Sequence, residues 1–140
     1  MRRIHLNGDQ CIYCGQLANT IEHFPPQSYC AGGFLLPACR ECNTLAGTLY
    51  PTNFNKRVEC VKNKLFQRHR KALEMPTWDI DDLNELEGNI KRNVKLWQNK
   101  KRIASNRIAW SAESYLCSID RNNDFVRMDV EAGIIIAKEN

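Results

Sequence analysis

The spacing of apolar residues changes once along the chain, and the change divides it in two. Over residues 5–50 short apolar runs are broken by Gly8, Gly15, Gly32, Gly33 and Gly47 and by Pro25, Pro26 and Pro37. That punctuation predicts short strands, turns and knuckles. After Pro51 the spacing becomes helical. Phe54, Val58, Val61, Leu65 and Ala72 make one stripe, with Thr52 placed to cap it,. This helix is expected to stop before Pro76, since proline disfavours helical geometry in the residue it follows. Asp79 or Asp81 caps the next one. Leu83, Leu86, Ile90, Val94, Trp97, Ala104 and Ile108 then step by three or four along most of a long amphipathic helix,. Gly88 inside it costs about 1 kcal/mol relative to Ala. The two helices are expected to pack as a hairpin. A shorter helix is expected from Ser111 to Ser118, and a turn at Asn122-Asn123-Asp124. Residues 125–137 fit a strand or a terminal helix equally well.

Composition narrows the class. The chain has 140 residues, 43% of them hydrophobic and 26% charged, which suits one folded domain and excludes a mostly disordered chain. No apolar run approaches the roughly 20 residues of a membrane helix. Met1-Arg2-Arg3-Ile4-His5 is basic, but no apolar stretch follows it, so no secretory signal is expected,. The expectation is a cytoplasmic protein with no membrane partner.

In that compartment seven cysteines call for a use other than disulfides, and the odd number already disfavours a complete disulfide framework,. Four of them form two Cys-x-x-Cys pairs, Cys11/Cys14 and Cys39/Cys42, with 24 residues between the pairs. Each pair supplies two thiolates at the separation a tetrahedral zinc ion needs. Gly15 lets the chain reverse after the first pair with positive φ. A structural Zn2+ on Cys11, Cys14, Cys39 and Cys42 is therefore expected to staple residues 1–51, a region with little core of its own.

Between the pairs lies Thr20-Ile21-Glu22-His23-Phe24-Pro25-Pro26. A carboxylate beside an imidazole at a strand end is a usable hydrolytic pair. The carboxylate suits a hard divalent cation, and neutral imidazole accepts a proton from water near pH 7. Asn43, directly after the second pair, offers an amide oxygen as a further metal ligand.

Cys11, Cys14, Glu22, His23, Pro26, Cys39, Cys42 and Asn43, with Leu36-Pro37-Ala38 leading into the second pair, resemble the HNH endonuclease superfamily. The likeness is to its zinc-containing ββα-metal, treble-clef subtype, typified by phage recombination endonuclease VII. It covers roughly residues 10–47. The resemblance implies a small zinc-stapled ββα core over 1–51; with the helical spacing that follows, the expectation is an α+β protein whose mainly helical part over 52–140 packs on that core as a single unit. The resemblance also implies His23 as general base, with Glu22 and Asn43 holding a catalytic Mg2+ or another divalent cation. Glu22 stands where the family has Asp. Phe34 stands where the family has the Asn that braces the catalytic loop.

Charge adds a partner. Residues 1–76 carry a net +5 and residues 77–140 a net −1. Residues 56–71 alone carry +6, directly after the motif, which suits a polyanion. Arg57, Lys64, Arg68 and Lys71 are the expected phosphate contacts on DNA. His5 and His69 read as surface residues, and Trp78, Trp97 and Trp110 as core anchors. The long helices also admit pairing of two chains. Two functions fit. One is a metal-dependent DNA endonuclease with His23 as base. The other is a catalytically inactive HNH-derived zinc module that binds nucleic acid or a protein.

Overall fold

The computed structural model describes residues 3–24, 33–47, 54–121, 126–129 and 134–137. Three short strands open the chain: β1 (Arg3–His5), β2 (Thr20–Phe24) and β3 (Gly33–Ala38). β3 is central, parallel to β1 and antiparallel to β2. Its register sets Leu36 opposite Glu22, and sets Leu35 between His5 and His23. Helix α1 (Arg40–Ala46) follows β3 at once, with the Cys39 sulfur accepting from the Cys42 amide as its N-cap. Gly47, at φ 51°, closes it. β2, β3 and α1 thus form a ββα unit. The ββα resemblance implied a helix after the second cysteine pair, and α1 starts inside that pair, capped by one of its sulfurs.

The helical part comprises α2 (Phe54–Arg68), α3 (Arg70–Leu73), α4 (Ile80–Asn84), α5 (Gly88–Ala109) and α6 (Ala112–Arg121). A hairpin of β4 (Val126–Asp129) and β5 (Ile134–Ala137) follows. The class is α+β, as the sequence implied. The first expected helix breaks at His69, between α2 and α3. The second is split. Asp79 caps α4 through the Asp82 amide, and the chain turns at Gly88, whose φ of 62° excludes it from a helix interior. Residues 125–137 contribute strands, not a helix. Thr52, Pro26 and the turn at 122–124 lie outside the described residues.

The core sits between the sheet and α2. Phe54, Arg57, Val61 and Leu65 form the buried stripe of α2. Burial alternates along β2: Glu22 and Phe24 are buried, and Ile21 is exposed. Phe24 meets Phe54 edge-on at 5.1 Å, and Tyr13 stacks on Phe54 at 5.9 Å. Phe34, opposite Phe24, is buried in the same cluster. Phe34 is therefore a core aromatic. No helix among the described residues is long and apolar enough to cross a membrane.

Candidate functional site

The site is built on the two cysteine pairs. Cys11 and Cys14 lie on a tight loop. Its ends are bridged at Gln10 and Leu17, and the Gly15 amide donates to the Cys11 carbonyl at 2.9 Å. Gly15 takes φ 78°, the conformation glycine tolerates best. The Ile12 amide donates to the Pro37 carbonyl at 2.9 Å, which ties this loop to β3 just before the second pair. The four sulfurs lie within 4.8 Å of one another and all four cysteines are buried. Among the described residues theirs is the one cluster of three or more such side chains. A tetrahedron with Zn–S bonds of about 2.3 Å has edges of about 3.8 Å. The Cys14 and Cys39 sulfurs stand 3.7 Å apart, so the cluster fits a structural zinc ion.

Two cations from the helical part, Arg107 and Lys62, close on this cluster, and neither was among the expected site residues. Arg107 of α5 is buried, with one guanidinium nitrogen 3.8 Å from both the Cys39 and the Cys42 sulfurs. Its other terminal nitrogen pairs with Glu41 at 2.6 Å. Four thiolates on one Zn2+ leave a net charge of −2, and Arg107 offsets part of it. Lys62 of α2 donates to the carbonyls of Arg107, Ile108 and Trp110, the end of α5 where carbonyls lack helical partners. Burial lowers its pKa, against the pull of the nearby thiolates. Trp110 lays its ring on Gly15 and donates from its indole to the Ile12 carbonyl at 3.2 Å. A Cβ on Gly15 would meet that ring at 2.3 Å. Glu41 also receives Arg68 and contacts His69. Burial alone would raise its pKa, but hydrogen bonds with His69 and Arg107 hold it below the ordinary value.

The proposed catalytic set behaves differently. Glu22 is buried with both carboxylate oxygens engaged. Tyr13 donates its hydroxyl to one at 3.0 Å, and Arg57 donates to the other at 3.1 Å. Arg57 also donates to the Tyr13 hydroxyl and to the Gly47 carbonyl. Burial pushes the Glu22 carboxyl above its ordinary pKa, with Arg57 and Tyr13 opposing. In this structure, then, the partners of the Glu22 carboxylate are Tyr13 and Arg57. Arg57 corrects an expectation, for it is fully buried and is not placed to touch a phosphate. Asn43 faces β2, its amide donating to the Thr20 hydroxyl at 3.1 Å and the Ile21 carbonyl at 3.0 Å. Asn43 and Glu22 therefore share the side of β2 that faces the helices. His23 is half-buried, and strand alternation puts it on the opposite side,.

Lys64, Arg68 and Lys71 are exposed, as phosphate contacts must be. Lys64 reaches the Leu45 carbonyl at the end of α1, and Lys71 lies over the Trp97 ring. Arg107 and Arg57 carried one sequence signal, a basic residue falling on the apolar stripe of its helix. Comparison with protein-family models, curated proteins and solved structures finds no match to this chain.

Proposed function

We propose that this chain is an HNH-type ββα zinc module that docks on DNA, with its ancestral cation site closed by an internal ion pair. One observation carries the reading: the carboxylate of Glu22 is saturated by Tyr13 and Arg57 inside the core. A group so held serves the fold, and removing it to bind Mg2+ would leave Arg57 buried without its counter-charge. The docking surface is the exposed basic edge of α2 and α3, with Lys64, Arg68 and Lys71, beside the ββα unit. Ile80, Ile90 and Leu96 are exposed on α4 and α5, the apolar supply that pairing of two chains would draw on.

A second reading is favoured by a different observation. Asn43 and Glu22 lie on one side of β2, and His23 sits near its end, so the three residue types of a hydrolytic site occur within one ββα unit. In that reading His23 activates water, and a divalent cation on Glu22 and Asn43 stabilises the leaving oxygen, after Arg57 is displaced.

One pair of assays separates them. Binding of a fluorescent duplex should weaken with salt by about 0.9 log unit per log unit for each phosphate contacted. It should weaken further in the Lys64→Glu/Arg68→Glu variant. Salt-independent binding, or a double variant with wild-type affinity, removes the DNA reading. Supercoiled DNA incubated with Mg2+ or Mn2+ should stay intact. Nicking that disappears in His23→Ala would instead establish the enzyme.

A further inference from the structure

We propose that the groove between α3 and α5 seats an unpaired nucleobase of a single strand, with Trp97 as its stacking platform and Lys71 and Lys100 taking the flanking phosphates. This inference rests on the nucleic-acid reading above and assigns it a second contact. The groove has a volume of about 480 Å³, and Arg68, His69, Lys71, Trp97, Lys100 and Ile103 are among its walls. Among the described residues, no acidic side chain lines it.

Trp97 was expected to be a core anchor. Trp110, half-buried, packs on Gly15 and donates to the Ile12 carbonyl. Trp97, also half-buried, has its indole at the groove wall. Lys71 Nζ stands 5.3 Å and Lys100 Nζ 4.6 Å from its ring centroid. The other basic side chains of the groove are already committed. Arg68, His69 and Arg107 all converge on Glu41. Among the described residues, Lys71 and Lys100 form no ion pair.

An aromatic ring with two cations over it that form no ion pair among the described residues matches a ligand that alternates flat rings and anions. A single-stranded nucleic acid has that pattern, and stacking on an aromatic side chain tolerates any base. Duplex bases are already stacked and cannot enter. The long lysine stems let both ammonium groups swing off the ring to the phosphates as the base arrives.

The test measures fluorescence anisotropy of labelled dT12, of an abasic strand of the same length, and of a duplex. Proteins are wild type, Trp97→Ala and Trp97→Phe, each checked for bound zinc and for its melting temperature. Trp97→Ala should bind dT12 about tenfold more weakly or worse, with duplex affinity unchanged. Trp97→Phe should recover most of the loss, because an aromatic face suffices. Wild type should bind the abasic strand as weakly as Trp97→Ala binds dT12. Wild-type affinity of Trp97→Ala for dT12 overturns the groove and leaves the duplex-docking reading standing. Equal losses on dT12 and duplex assign Trp97 a structural role and also overturn it. Displacement of dT12 by a Glu-Tyr peptide with the same Trp97 dependence would reassign the groove to a protein partner. If wild type binds neither strand nor duplex, both readings fall together.

Discussion

Arg57 and Arg107 occupy buried stripes of their helices, where a basic residue is normally absent. Each answers a negative group on the zinc-bearing part: Arg57 the Glu22 carboxylate, Arg107 the Cys39 and Cys42 sulfurs with Glu41. A count of charges along 56–71 treats Arg57 as exposed, because charge is summed without regard to helical phase. Its position between Phe54 and Val61 was the legible sign that it faces inward. The core partners of Glu22 were illegible for a related reason. Its identity and its neighbour His23 match a hydrolytic motif, but the partner that decides its role is 35 residues away. The buried pair should be strongly coupled. Glu22→Leu alone is expected to cost about 3–5 kcal/mol in urea unfolding, as breaking a buried ion pair does. Glu22→Leu combined with Arg57→Met should cost clearly less than the sum of the two single changes. Additive losses would mean that the two side chains are not coupled.

Among the elements, the split between α4 and α5 shows what periodicity can and cannot see. Leu83, Leu86, Ile90 and Val94 keep helical spacing straight across Gly88, so the pattern reads as one helix. The break depends on the sign of one dihedral, which apolar spacing does not encode. Two opposite outcomes follow for Gly88→Ala. In a continuous helix it would stabilise by about 1 kcal/mol. In this fold Gly88 has φ 62° and open space around its α-carbon, so a methyl group meets no neighbour and acts on the backbone alone. The left-handed conformation is expected to cost the variant about 1–2 kcal/mol, read as a lower denaturation midpoint with unchanged slope. A rise in the midpoint would restore the single helix. Helix α1 was legible only through the ββα resemblance, since it is 7 residues long and its cap is a cysteine sulfur, a signal that sequence patterns assign to metal binding.

For the whole molecule, class and staple were legible, because cysteine spacing and the change of hydrophobic period are local patterns. The docking of the two parts was not, since it runs through Lys62, Arg107 and Trp110 to groups far away in sequence. Through this docking, a zinc ion held by the four cysteines would act on both parts. Chelation, or Cys39→Ser, should release the zinc-bearing part and also uncover Trp110 and the end of α5. Tryptophan emission should shift to the red in step with zinc release, and far-UV helical signal should fall over the same chelator range. Helical signal that survives complete zinc removal with an unshifted emission would mean that the helical part stands alone. Acid should act like the chelator, because the ligands must be deprotonated to hold the metal.

The contact between Arg107 and the Cys42 sulfur spans 65 residues, and this has a consequence for biosynthesis. All four metal ligands leave the ribosome well before the guanidinium that shields two of them. At roughly 5–20 residues per second the interval is about 3–13 s. During that time the nascent chain holds its cysteines, metallated or not, on a surface that the finished protein covers. Oxidants and competing metals therefore have access to the newborn chain that they lose once residue 107 docks.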